Sequence, residues 1–290
     1  MIWPSLQPAL PPPCLHATRV KKGFFRRKCD SKKVQKFQCK ECNAHFSQQT
    51  FKETRWHKKV REVPLLRKLL CSGVSQRRAA LLLGITRKTV ARKIDLLFAR
   101  ASVAQHSLIC AQKSFAELEF DEVITYEHTK AKPLSIPLAV TKDRLIVGLG
   151  VASMPSNGLL AQMSREKYGR RADDRPLVIS SVLEAVAAHC NSDCAITTDK
   201  DTRYPKYLKK ALPDVKHIRV PGGRGCITGY KELKKKGFDP MFALNHSAAM
   251  IRDGLATMKR RTWTSVKKPL NLLKLLGIYV WFHNSVLIKS

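Results

Sequence analysis

The chain has 290 residues, 54 Lys and Arg against 22 Asp and Glu, a formal net charge of +32 and a pI near 10.2. With 44% hydrophobic residues it reads as a globular protein holding a buried core and one or two small modules, and its charge points to a polyanionic partner. The longest apolar run, Leu275 to Phe282, is far short of the roughly twenty residues that span a bilayer, so a membrane role is not expected.

Residues 1–13, MIWPSLQPALPPP, read as a disordered, extended, Pro-rich lead-in. They lack the basic n-region and continuous apolar core of a signal peptide, so a cytoplasmic, reducing location is expected. The odd total of nine cysteines then suits thiols or metal ligands better than a closed disulfide framework.

Residues 14–58 read as a zinc-ribbon-like module. Cys39-Lys-Glu-Cys42 is a Cys-x2-Cys turn that brings two thiolates to one tetrahedral zinc, and Cys14 and His16 stand about 25 residues upstream as the other pair. Cys29, His45 or His57 are alternative fourth ligands. Between the pairs, Lys21, Lys22, Phe24, Phe25, Arg26, Arg27 and Phe37 suit two short hairpins that present cations to phosphate.

Residues 59–113 read as a helix-turn-helix DNA-binding domain. Ser75 is a helix N-cap, Ala79 allows close helix approach, Gly84 stands at the turn, and Thr86 caps a second helix over 86–97. Val90, Ile94 and Leu97 form its inner face. Arg87, Lys88, Arg92 and Lys93 are expected to point outward into a DNA major groove.

From residue 114 to 290 the pattern is that of an α/β domain. Strands are expected over Leu118–Ile124, Leu134–Thr141 and Leu145–Ala152, then a helix over Leu177–Cys190, a strand over Cys194–Thr198, a helix over Tyr204–Ala211, a strand over Val215–Val220 and a helix over about Phe242–Arg260. This order matches a ribonuclease-H-like mixed sheet with helices on both faces. The first strand carries Glu117-Leu118-Glu119-Phe120-Asp121-Glu122, four acids in a chain poor in them, and the fourth strand leads into Asp199.

Asp121 and Asp199 lie on strands that adjoin in such a sheet. Two carboxylates a few ångströms apart repel each other, a cost that divalent cations offset, and a Mg2+ or Mn2+ pair on hard oxygen ligands supports in-line phosphoryl transfer. Glu119 shares the face of Asp121 as a supporting acid, whereas Glu122 points to the other side. Pro221-Gly222-Gly223-Arg224-Gly225 and the stretch from Tyr230 to Lys236 suit a phosphate-facing surface.

These motifs in this order resemble an insertion-sequence transposase of the DDE superfamily, in the branch with a zinc ribbon, a helix-turn-helix and a first acid in an Asp-Glu pair. The resemblance rests on Phe37-Gln-Cys39-Lys-Glu-Cys42 with Phe46-Ser47, the helix-turn-helix, Asp121-Glu122, Thr198-Asp199 with Tyr204, and Asn245 to Lys267. It implies a metal-dependent DNA transposase that binds element ends, cleaves strands and joins them to target DNA, as a dimer or larger synaptic assembly associated with the nucleoid.

The third acid departs from the pattern. Counting back from Arg260-Arg261-Thr262, Arg252 falls on the family's helix arginine, Lys267 on its terminal lysine that contacts DNA phosphate, and Asn245 on its Glu. Asn offers a neutral carbonyl and no charge. Asp239, His246 and Asp253 are the alternatives, although Asp253 lies about 12 Å further along the helix. Asn245 is equally suited to a helix N-cap. A catalytically decayed or domesticated transposase, binding DNA without cutting it, is therefore the second expectation.

Overall fold

The computed structural model describes residues 18–28, 31–55, 57–112, 114–222, 239–259 and 262–288. Cys14, His16, Cys29, the greater part of the 221–236 loop and Arg260-Arg261 lie outside the described residues.

Three short strands open the described chain, β1 (Arg19–Arg26), β2 (Lys33–Cys39) and β3 (His45–Ser47), paired antiparallel in that order. Phe46 is the buried centre of this sheet, stacked on Phe37 at 5.8 Å and meeting Phe51 edge-on at 5.4 Å. So small a core leaves most of β1 exposed, with Lys33 over the ring of Phe24 at 4.6 Å.

Helices α1 (Val63–Cys71), α2 (Gln76–Leu82) and α3 (Arg87–Cys110) follow. The Ser75 hydroxyl accepts the Arg78 N–H and the Thr86 hydroxyl accepts the Thr89 N–H, so both caps are made by side chains. Gly84 takes φ 58° at the turn between them, a conformation for which glycine carries no Cβ penalty. Ala79 is fully buried where α2 meets α3.

The larger sheet has six strands: β4 (Phe115–Tyr126), β5 (Pro133–Thr141), β6 (Ile146–Leu149), β7 (Ala152–Ser153), β8 (Cys190–Asp199) and β9 (Lys216–Val220). The order is β6-β5-β4-β8-β9, with β7 on the far end of β5. β4 and β5 pair antiparallel, while β4, β8 and β9 run parallel. Helices α4 (Leu160–Tyr168), α5 (Arg175–Ala187), α6 (Tyr204–Ala211), α7 (Phe242–Gly254) and α8 (Pro269–Phe282) complete the fold.

Alternation along β4 divides the core. Leu118 and Phe120 join α5 and α6 on one face, while Val123 joins α7, α8 and the three N-terminal helices on the other. The molecule is thus a mixed α/β protein with helices flanking a mixed sheet. Gly148 lets α5 lie close, since a Cβ there would come 2.7 Å from Val186 and 3.0 Å from Val182.

Three expectations change. The helix expected to reach Arg260 ends at Gly254, where a Cβ would stand 2.3 Å from the Tyr279 ring, and Leu255 turns to extended backbone. The expected single strand over Leu145–Ala152 is divided into β6 and β7. The boundary at residue 113 is crossed by one hydrophobic core, because α8 packs on α1 and α3, with Lys274 paired to Asp95.

Candidate active site on the central strands

The β4–β8 register pairs Leu118 with Ile196 and Glu119 with Thr197, and two residues further on it brings Asp121 abreast of Asp199. Neighbouring strands are about 4.8 Å apart. The Asp199 charge accordingly acts on Asp121, adding to burial, the largest cause, in pushing the Asp121 carboxyl above its ordinary range. Two hydrogen bonds oppose that rise: Asp121 Oδ1 accepts the Glu122 N–H at 2.7 Å and the Tyr204 hydroxyl at 3.0 Å. Asp199 Oδ1 accepts the Asp201 N–H at 3.0 Å.

Both aspartates use Oδ1 alone, and among the described residues neither Oδ2 has a hydrogen-bond or ion-pair partner. Asp199 Oδ2 faces Gly222, where an added Cβ would be 3.8 Å away.

Glu119, Glu122 and Asp201 each have a cation. Glu119 is buried, its Oε1 2.9 Å from Lys142 Nζ and its Oε2 accepting the Leu244 N–H at 2.7 Å. That last bond fastens the first turn of α7 to β4, two residues from Asp121 and on its face. Glu122 points the other way, as alternation requires, and is buried there: its side chain is only 6% exposed, it accepts the Ser135 hydroxyl, and it pairs with Arg203 at 2.6 Å. Arg203 also pairs with Asp201 at 2.7 Å.

The segment from Asp199 to Tyr204 builds this arrangement locally. Asp199 accepts the N–H of Asp201, and Asp201 accepts the N–H of Arg203, two successive Asx turns. They aim Arg203 at Glu122 and start α6 at Tyr204, whose ring meets Phe120 edge-on at 5.3 Å. Burial, then the charges of Asp121 and Glu122, push the Tyr204 hydroxyl pKa well up, so it stays a donor. The sequence reading placed Tyr204 in a motif without seeing this bond, and did not use Arg203 at all; Asp-Thr-Arg-Tyr directly after a strand-end Asp was the available signal.

The third position is on α7. Asn245 is exposed and donates its amide to Asp239 Oδ2 at 2.9 Å, while Asp239 Oδ1 accepts the Met241 N–H. Asp239 thus turns the chain ahead of α7, whose N-cap residue is Met241, and Asn245 lies in the first turn of the helix. His246 lies against Phe242, its ring tilted at 40°, and acts on His283 at the end of α8. Asp253 stands at the far end of α7, where it acts on Tyr279. The structure thus brings Asp121 and Asp199 together, pairs Asn245 with Asp239, and leaves His246 and Asp253 elsewhere. No three His, Cys, Asp or Glu among the described residues form a metal cluster.

On the helix-turn-helix, Arg87, Lys88 and Arg92 are exposed. Lys93 corrects the expectation: it is 1% exposed and donates to the carbonyls of Lys58 at 2.9 Å and Lys59 at 2.8 Å. It stands three residues after Val90 and four before Leu97, which puts it on the inner strip of α3. Burial lowers its pKa. Arg252 is half-buried on α7, and Lys267 is exposed beside the β4–β5 turn.

In the N-terminal sheet Cys39 closes β2 and Cys42 lies in the following turn. Cys39 Sγ accepts the Glu41 N–H at 3.4 Å. No helix among the described residues is long and apolar enough to cross a membrane. Compared with protein-family models and with curated proteins, the chain finds no match.

Proposed function

We propose that the protein is a divalent-metal-dependent DNA strand transferase of the transposase type, with Asp121 and Asp199 as its metal-binding carboxylates. One observation carries the reading. In a chain with 54 Lys and Arg, these two acids lie side by side with no cation among the described residues, while Glu119, Glu122 and Asp201 are each held by one. The strand order, with β4 central and β8 beside it, suits a ribonuclease-H-like assignment.

The donor set fits Mg2+ or Mn2+. Two hard carboxylates, each with Oδ2 unengaged, match the way magnesium is bound by one or two carboxylates together with substrate phosphate. Such ions supply a lowered pKa for water or a 3′-hydroxyl and neutralise a leaving oxygen. The chain's own residues orient this chemistry: Tyr204 and the Glu122 N–H fix one oxygen of Asp121, the Asp201 N–H fixes one of Asp199, and Arg203 withdraws Glu122 and Asp201 from the site. Asn245 and Asp239 together offer neutral and anionic oxygen at the third position.

Arg87, Lys88, Arg92 and Lys267 would take DNA phosphate and base edges, and a zinc on Cys39 and Cys42 would hold the N-terminal hairpins. Cys14 and His16 complete that set by sequence alone. DNA ends must be held together for joining, so a homodimer or larger assembly is expected. A non-catalytic DNA-binding protein is the second reading, favoured by the neutral Asn245 and its commitment to Asp239.

The test uses supercoiled plasmid carrying the DNA that flanks the protein's own coding region. Wild type with Mg2+ or Mn2+ should nick or join strands, and Asp121→Asn or Asp199→Asn should abolish this with binding intact. Binding without cutting under either metal sinks the enzyme reading.

A further inference from the structure

We infer that the groove beside Trp263 holds an unpaired base of single-stranded DNA, stacked on the Trp263 indole with its flanking phosphates on Lys130 and Lys267. The inference rests on the reading of this protein as one that processes DNA strands, and it assigns a part of the strand's path that the two aspartates do not touch.

The groove is open, has a volume of about 700 Å3, and lies between the β4–β5 turn and the segment from Thr262 to Lys267. Trp263 is 103% exposed. An indole is seldom left wholly in water, and it is rarer still on a fixed support. Here the support is fixed. The hydroxyls of Thr262 and Thr264 both donate to the Ala256 carbonyl, at 2.9 and 2.8 Å, and Thr262 Oγ1 also accepts the Thr264 N–H at 3.0 Å. Two residues further, the His128 N–H donates to the Val266 carbonyl at 2.7 Å, which ties the segment to the β4–β5 turn. Trp263 is thus held out by a braced turn.

What covers the ring follows from the walls. Tyr126 and His128 add aromatic surface, Lys130 and Lys267 add charge, and no carboxylate is among the described residues that line the groove. The neighbouring acid, Glu127, is turned to Arg171 at 2.9 Å. Aromatic faces alternating with cations are what single strands bind, because every base has a π-face and every linkage a phosphate. A protein partner's apolar side chain would find two lysines at the rim. Tyr126 also ends the strand that carries Asp121, about 17 Å away at the rise of a β-strand, so a strand leaving the aspartates can reach the groove within a few nucleotides.

The experiment measures binding in EDTA, where cutting plays no part. Fluorescein-labelled dT12, U12 and a 20-bp duplex of flanking DNA are titrated by anisotropy into the full chain and its variants. Trp263→Ala should weaken dT12 binding about tenfold, within the range that base–aromatic stacking supplies, and Trp263→Phe should recover most of it. Duplex binding should be unchanged in both, which also reports that the variants fold. Lys130→Ala with Lys267→Ala should flatten the dT12 salt dependence by a slope of about 1.4. The inference fails if Trp263→Ala binds dT12 like wild type, if U12 binds tenfold tighter than dT12, or if Trp263→Ala changes the oligomeric state by light scattering, which would make a second copy the occupant. Retained duplex binding with an unaffected dT12 removes the inference alone, whereas loss of both probes in wild type removes the DNA reading itself.

Discussion

Asp121→Asn subtracts one charge from the candidate site and keeps the oxygen that accepts from Glu122 and Tyr204. Burial and the Asp199 charge raise the Asp121 carboxyl pKa in the folded protein. A carboxyl raised on folding binds more protons folded than unfolded, so stability falls as pH climbs from the ordinary carboxylate range through the raised value, and the cost is fully present above it. Two unit charges about 5 Å apart at an effective dielectric of about 20 repel by ~3 kcal/mol. Salt and the partial exposure of Asp121 reduce this to about 1–2 kcal/mol. At about 2–4 °C per kcal/mol for a chain of this size, the variant should melt ~2–8 °C above wild type near pH 7 in EDTA, with the gap closing towards about pH 4. Magnesium should close most or all of the gap: about 10 mM Mg2+ acting with a Kd of about 1 mM stabilises wild type by ~1.4 kcal/mol and the variant hardly at all. Thermal melts by fluorimetry, with and without the metal, decide it. A variant that melts below wild type in EDTA, or gains as much from Mg2+, refutes the reasoning.

Lys93 and Arg92 are adjacent and should behave in opposite ways. Lys93→Met forfeits two charge-assisted bonds to backbone carbonyls and should cost about 1.5–3 kcal/mol in urea unfolding, with the salt slope of duplex binding unchanged. Arg92→Ala should leave stability alone and lower that slope by about 1, as measured by anisotropy across a salt series. Arg203→Gln strands Glu122, whose side chain is nearly buried, and should cost about 2 kcal/mol; the full cost of breaking a buried pair is reduced because a third of the Arg203 side chain meets solvent. A urea midpoint equal to wild type would show that Ser135 alone satisfies Glu122. Cys39→Ser with Cys42→Ser should remove about one zinc per chain by elemental analysis and expose residues 18–55 to protease. Unchanged zinc content removes the ribbon from the reading.

Elements with a clear period were legible in the sequence. The helix Tyr204–Ala211 has the expected bounds, because its apolar residues fall on one narrow stripe, and Ser75, Gly84 and Thr86 stand where cap and turn chemistry puts them. Helix α8 was not assigned. It is buried on nearly all sides, so Leu272 to Phe282 has no polar face to set a period. The early end of α7 was hidden for another reason, since it depends on the Tyr279 ring standing against Gly254 from 25 residues away.

Site chemistry divides along the same line. That Asp121 and Asp199 adjoin followed from strand order, and the observed register puts them abreast. Lys93 was misjudged because residue type was allowed to override helical phase: at 100° per residue it falls between Val90 and Leu97, whatever its charge. Alternation placed Glu122 on the other side of β4 from Asp121, but its partner there, Arg203, had no signal in residue type. What separates a structural charge from a functional one in this chain is the partner. Lys93 and Glu122 are buried with every charged atom engaged, at sites where the fold supplies carbonyls or a guanidinium. Asp121 and Asp199 each keep an oxygen unengaged while repelling one another, in a protein with an abundance of cations to offer. On the proposed reading a bound cation offsets this repulsion, which is why the melting experiment with and without Mg2+ tests the site more directly than any contact within it.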